Sequence, residues 1–277
     1  MVKVTDKDYY LDGFAEQICT AIAERVQNRK QDILMLINGR EGSGKTNASI
    51  ALCYYIAHKT SRKFTNANIF FDIDEMMKFA GNTKEQIILW DESSLGGLAH
   101  SWTNSSQKKL KSMLMVCRKL RHVFVFNIPR FYRLSSDLIE RAYCMFHIYE
   151  NNEEKPGNFM FFGQQKLEYL YNEWKKRGGA AYWKYKKLHG HFTWVLPKLI
   201  NEEEYEKAKD DAIMKLVNET KDKKGESSPR HAAIEAQKKI ARTLWIKHQN
   251  HRIVAELIGV DRKTIGNWVK EGNWGGT

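Results

Sequence analysis

The sequence is poor in cysteine and has no long apolar run. Its four cysteines, Cys19, Cys53, Cys117 and Cys144, lie far apart and form no C-x-x-C pair. That spacing indicates neither a zinc ribbon nor a disulfide framework, and each cysteine falls on a segment that reads as buried helix or strand. No apolar stretch approaches the roughly 20 residues of a membrane span. Residues 1–11 carry charges and no apolar signal core, so a soluble, cytoplasmic protein is expected. No internal repeat is present. Acidic charge is in the minority: 33 Asp and Glu stand against 45 Lys and Arg, a formal net charge of +12 over 277 residues. That surplus predicts anionic partners, nucleic acid first and an acidic membrane surface second. A hydrophobic share of 42% and an aromatic share of 12% suit a globular chain rather than a disordered one. The length allows one sizeable core and a small second module.

Apolar residues at helical spacing (Phe14, Ile18, Ile22, Val26) predict a lead-in helix over 13–29. Short apolar runs at 32–38, 69–73, 86–91, 122–127 and 144–149 read as strands. Helices are expected between them at about 46–58 and 105–120. Buried strands alternating with helices predict an α/β fold with a doubly wound, mainly parallel sheet. After residue 150 the pattern changes: a further strand is expected at 159–162, a helix at 165–176, strand–turn–strand over 182–194 with the turn at His189-Gly190-His191, and a charged helix at 202–219. Residues 220–230 lack apolar side chains except for Pro229 and read as a linker. The expected organisation is therefore a core over 1–219, a linker at 220–230 and a helical module at 231–277.

Gly39-Arg40-Glu41-Gly42-Ser43-Gly44-Lys45-Thr46 matches G-x-x-x-x-G-K-[ST] in full, between an apolar strand and a helix. Glycines let the backbone curl so that successive N–H groups point into one phosphate-sized hollow, and the helix N-terminus adds partial positive charge. The candidate nucleotide-binding residues are 39–46 together with Asn47. Lys45 is placed to reach β/γ oxygens, and the Thr46 hydroxyl to bind Mg²⁺. Ile87-Ile88-Leu89-Trp90-Asp91-Glu92 supplies a buried strand ending in two acids. Asp91 there is a second candidate for Mg²⁺, and Glu92 for orienting and deprotonating a water. Asn127, near the end of the next apolar strand, is a candidate sensor of the γ-phosphate and the attacking water. Its alternative role is to start a turn. Asp72 reads as structural.

The phosphate loop, the Asp-Glu strand, a basic helix, the strand with its polar tip and then Leu134-Ser-Ser-Asp137-Leu-Ile-Glu-Arg141 resemble the additional-strand, catalytic-glutamate P-loop ATPases over about residues 30–150. Within that class the chain is similar to the FtsK–HerA group of DNA pumps, viral packaging ATPases included, and to the AAA+ group. Asn127 departs from the Gln usual in the first group and leans toward AAA+. The strands that follow, where an AAA+ protein would carry a helical lid, favour the pumps. The resemblance implies ATP and Mg²⁺, a homo-oligomeric ring of five or six subunits, and an arginine acting on a neighbour's γ-phosphate. Arg118, Arg121, Arg130, Arg133 and Arg141 are the candidates. Arg141 is the AAA+-like choice, Arg118 and Arg121 the pump-like one, and each is equally readable as an ordinary surface arginine. Packaging would further imply a viral portal or a nuclease partner, since residues 151–219 show no acidic constellation for DNA cutting.

The loop 93–100 directly after the acids contains Gly96 and Gly97, with Lys108, Lys109 and Lys111 behind it. It reads either as a DNA-responsive element or as a surface loop. From Lys221 onward, 12 Lys and Arg stand against 6 Asp and Glu. Residues 253–268 have helix-turn-helix spacing, with Ala255 permitting close helix approach, Gly259 in the turn, and Val260, Ile265 and Trp268 apolar. Arg262, Lys263, Thr264 and Asn267 would face the major groove or its phosphates, and a helix at 232–247 completes a three-helix unit. The module resembles the DNA-recognition domain of phage small terminase subunits and the helix-turn-helix of transposases; a bundle used for protein contact is the alternative. Tyr182-Trp-Lys-Tyr-Lys-Lys187 interleaves aromatic and basic residues, as a nucleic-acid surface or an edge strand does. His189 and His191 lack a third nearby ligand for a metal. The expected function is an ATP-hydrolysing motor on double-stranded DNA. The rival expectations are an ATP-switched, AAA+-like regulator of transposition or replication initiation, and an adaptor holding nucleotide as a structural ligand.

Overall fold

Strand β3 (Ile33–Gly39) is buried at every position, as a continuous apolar strand must be when helices cover both faces of its sheet. The computed structural model describes residues 2–3, 10–91, 104–150, 157–179, 182–185, 188–193, 200–225, 229–272 and 274. Two short strands, β1 (Val2–Lys3) and β2 (Tyr10–Leu11), pair antiparallel before helix α1 (Gly13–Asn28). After β3 come α2 (Lys45–Thr60), β4 (Ile69–Phe70), α3 (Ile73–Asn82), β5 (Ile87–Asp91), α4 (Asn104–Val116), β6 (Val123–Ile128), α5 (Ser136–Arg141) and β7 (Cys144–Tyr149). Then follow β8 (Asn158–Gly163), α6 (Gln164–Arg177), β9 (His189–His191), α7 (Glu202–Gly225), α8 (Pro229–His248), α9 (His251–Ile258) and α10 (Arg262–Glu271).

The main sheet has the order β4-β5-β6-β3-β7-β8-β9. Strands β4 to β7 run parallel, and β8 and β9 continue the sheet antiparallel. The alternating side chains of β3 divide between two cores. Met35 and Ile37 pack with α1 and α2 residues such as Ile22 and Ile56. Leu34 and Leu36 pack with Leu114 of α4, Leu138 of α5 and Leu167 of α6. Each fully buried Leu or Ile contributes roughly 1.5–3 kcal/mol by leaving water. The fold class expected from the alternating strands and helices is the one observed: an α/β sheet, mainly parallel, with helices on both faces. All four cysteines are free and buried. No described helix is long and apolar enough to cross a membrane.

Several local expectations fail. The apolar run at 69–73 yields a strand of only two residues, because the Asp72 carboxylate accepts from the Asp74 and Glu75 amides and starts α3. The expected turn at 189–191 is a strand instead, paired with β8 so that Phe159 stands opposite Gly190. A Cβ at Gly190 would lie 2.5 Å from the Phe159 ring and 2.8 Å from the Asp12 carboxyl carbon. Tyr182–Tyr185, expected as strand, form a single 3₁₀ turn. Residues 220–225, read as linker, prolong α7; Lys221, Lys223 and Lys224 are good helix formers even without apolar neighbours.

The chain divides into two compact units, Met1–Ile213 and Met214–Thr277. In the second, α8, α9 and α10 enclose a small core of Ala241, Val254, Ala255, Ile265 and Trp268. Asn250 caps α9 and Asp261 caps α10 through their side chains. Gly259, at a left-handed φ of 72°, makes the turn between them.

Candidate functional site

The C-terminal ends of β3, β5 and β6 meet at the N-terminus of α2, and the conformation of the intervening loop explains its glycines. Gly42 and Gly44 have φ of 79° and 87°, which side chains rarely adopt. Gly39 is required for another reason: a Cβ there would lie 2.4 Å from the Ile148 carbonyl oxygen of the neighbouring strand. Arg40 and Glu41 are exposed, whereas Ser43 is buried and its hydroxyl donates to the Arg40 carbonyl at 2.8 Å. Lys45 opens α2 with its ammonium folded back over the loop, donating to the same carbonyl at 2.6 Å. Burial holds its pKa below the usual lysine value, opposed by the nearby charges of Asp91 and Glu41. The ammonium thus spans the hollow that the glycines create. Asn47, half-buried, follows on α2.

Asp91 is fully buried at the end of β5, and its Oδ2 accepts from the Thr46 hydroxyl at 2.7 Å. A serine or threonine hydroxyl and a carboxylate at this separation are a donor set that suits a hard, octahedral divalent cation. The chemistry of the pair, with an anion-binding loop beside it, fits Mg²⁺ bound together with phosphate. Asn127 stands in register with Asp91 on β6, donates to the Ser49 hydroxyl at 2.9 Å, and is fully buried. Its Oδ1 has no hydrogen-bond partner among the described residues. A buried acceptor in that condition is costly unless something absent from the chain fills it. Glu92, the expected base, and the loop 93–100 lie outside the described residues.

The structure therefore brings Lys45, Thr46, Asp91 and Asn127 to one place. It puts Arg118 and Arg141 elsewhere. Both line a cavity of about 490 Å³ together with Asp32, Lys111 and Asp137. Asp32 precedes β3 and the phosphate loop follows it, so the two ends are separated by a strand of roughly 20 Å. Arg141 is tied to the Asp32 carboxylate and donates to the Leu114 carbonyl at 2.6 Å. Arg121 pairs with Glu85 at 3.1 Å. Arg130, by contrast, lines a cavity of about 780 Å³ beside the phosphate loop.

Three residues of this region carried no signal that sequence reasoning used. Asn38, on β3 just before the loop, donates to the Pro129 carbonyl and accepts from Tyr182 at 3.1 Å. It also accepts from His147 Nδ1 at 2.7 Å, so that nitrogen carries the proton. The His147 and Tyr182 rings stack at 3.7 Å and 7°. Burial, with the nearby charges of Lys45 and Arg40, lowers the His147 pKa to about 4. The third is Tyr205, whose hydroxyl donates to Asp91 Oδ2 at 3.0 Å from the first turn of α7. A lone aromatic following Glu202-Glu203-Glu204 was the available hint.

On α10, Arg262, Lys263 and Asn267 are exposed and Thr264 half-buried, while Ile265 and Trp268 face inward. One face of this helix is thus polar, basic and open.

The sheet order places β6 between the phosphate-loop strand and the acid strand. The fold is P-loop NTPase-like. No known protein family matches the chain, and no curated protein does. Among solved structures it is similar to the RuvB Holliday junction branch migration motor of Thermotoga maritima, at 13% identity and a TM-score of 0.37, covering 95% of this chain and 88% of that one. A point variant of the same RuvB matches over the same shares at 12% and 0.37.

Proposed function

We propose that this chain is a Mg²⁺-dependent ATPase that acts on double-stranded DNA. The observation that carries the reading is the convergence of Lys45, Thr46, Asp91 and Asn127 on one glycine loop. The loop amides and the α2 N-terminus bind the phosphates, and Lys45 exchanges the Arg40 carbonyl for a phosphate oxygen. Thr46 and Asp91 would hold the metal. When bound, Mg²⁺ would neutralise charge on the phosphate oxygens. Glu92, next in sequence to Asp91, accepts the proton of the attacking water, and the unpartnered Asn127 Oδ1 orients that water. The inserted strand β6 supports the additional-strand, catalytic-glutamate class for this core.

The second unit supplies the DNA contact. Its helix-turn-helix, with Arg262, Lys263, Thr264 and Asn267 on the open side of α10, docks in the major groove. Hydrolysis involves a ring of five or six copies, in which Arg118 or Arg141, remote from their own phosphate loop, serve a neighbour. For Arg141 this requires release from Asp32. The narrower form of the reading is ATP-driven translocation, packaging through a viral portal included. The rival is an ATP-switched regulator on DNA. The test is ATP turnover with and without double-stranded DNA for wild type and Glu92→Gln, with oligomer mass recorded alongside. DNA stimulation of several-fold, a silent variant and an assembled ring support the motor. Turnover that ignores DNA while ATP still drives assembly supports the switch.

A further inference from the structure

We infer that Tyr205 is a positioning residue for the metal site, holding the Asp91 carboxylate through its hydroxyl. The inference rests on the nucleotide reading above and adds to it a residue outside the phosphate-loop and acid-strand motifs. Asp91 and Tyr205 are 114 positions apart, yet the hydroxyl donates to Oδ2 at 3.0 Å, on the same oxygen that Thr46 approaches at 2.7 Å. Tyr205 is buried, and its hydroxyl is the donor of this pair because a carboxylate oxygen only accepts.

The ring is fixed from several sides. Asn201 caps the start of α7 by accepting from the Glu203 and Glu204 amides. Asn66 and Asn201 exchange two side-chain-to-backbone hydrogen bonds, at 2.8 and 3.2 Å, tying that turn to the segment before β4. The Tyr205 ring packs on Phe71 at a centroid separation of 5.5 Å. A donor so constrained sets the rotation of the carboxylate it serves, which is how outer hydrogen bonds orient metal-binding carboxylates. With Thr46 engaged by a cation, Tyr205 would be the partner that keeps the carboxylate in place.

The test compares wild type, Tyr205→Phe and Phe71→Leu in binding a fluorescent ADP analogue, in EDTA and across a Mg²⁺ titration, with melting temperature recorded. Tyr205→Phe keeps the ring and removes only the hydroxyl; Phe71→Leu loosens the ring and keeps the hydroxyl. The expected result is a Mg²⁺ midpoint about tenfold higher in Tyr205→Phe, with binding in EDTA unchanged and no such shift in Phe71→Leu. A wild-type midpoint in Tyr205→Phe overturns the inference. So does an equal shift in both variants, which makes the effect one of packing, and so does a Tyr205→Phe chain that does not fold. A wild-type protein that binds no nucleotide with Mg²⁺ overturns the nucleotide reading and this inference with it.

Discussion

Asn127 stands directly opposite Asp91 on the adjacent parallel strand, and both side chains reach the same helix. Asp91 accepts from Thr46 and Asn127 donates to Ser49, residues three apart and so on one face of α2. The register of two strands thus sets the spacing between the candidate metal ligand and the candidate water-orienting group. If Asn127 Oδ1 orients the attacking water, Asn127→Ala lowers kcat about 100-fold and leaves KM nearly unchanged. Steady-state kinetics check this, and a rise in KM alone would assign the residue to binding.

Lys45→Ala should weaken ATP binding about 100-fold, the loss of a charge-assisted contact in a partly dry site. The same change should not lower the melting temperature of the nucleotide-free protein. Burial disfavours the Lys45 ammonium, and removing it relieves that cost. Titration with a fluorescent nucleotide and a thermal melt measure both effects.

His147 predicts a pH dependence of stability. Its folded-state pKa of about 4 lies below the ordinary 6.5, first through burial and then through Lys45 and Arg40. Between these values the unfolded chain binds the proton and the folded chain does not. The contribution is therefore fully present above about pH 6.5 and is lost as pH falls through about 4, amounting to about 3 kcal/mol. His122, lowered by burial as well, acts in the same direction, so the readout is a difference. Urea unfolding of His147→Gln should show a shallower loss of stability over this window than wild type.

Gly190→Ala places a methyl group against the Phe159 ring at 2.5 Å and the Asp12 side chain at 2.8 Å. Phe159 is buried. The expected cost is about 2 kcal/mol, of the size seen for overpacking, and a denaturant melt measures it. Unchanged stability would show that β9 can shift outward at the sheet edge.

On the second unit, Arg262→Ala and Lys263→Ala should each weaken double-stranded DNA binding and reduce the slope of log affinity against log salt by about 1 if they contact phosphate. Anisotropy titrations at several salt concentrations measure the slope. A loss confined to particular sequences, with the slope intact, would assign the residue to base edges instead.

The sequence by itself determined the parts whose physics is local. The glycines of residues 39–44, the lysine and threonine after them and the acid at the end of an apolar run were legible because turn geometry, helix start and burial of a strand are written in neighbouring residues. The strands β3, β5, β6 and β7 were legible for the same reason, as was the turn at Gly259. The tertiary structure alone decided the rest. Tyr205 meets Asp91 across 114 positions, His147 meets Asn38 across 109, and Tyr182 meets Asn38 across 144. Hydrogen bonds of such span carry no periodicity or spacing in the chain; they exist because two helical layers and a sheet bring those side chains together. The strand at 189–191 belongs to the same group. Glycine between two histidines reads as a turn until β8 offers it a ladder to complete and Phe159 fills the space a side chain would have taken.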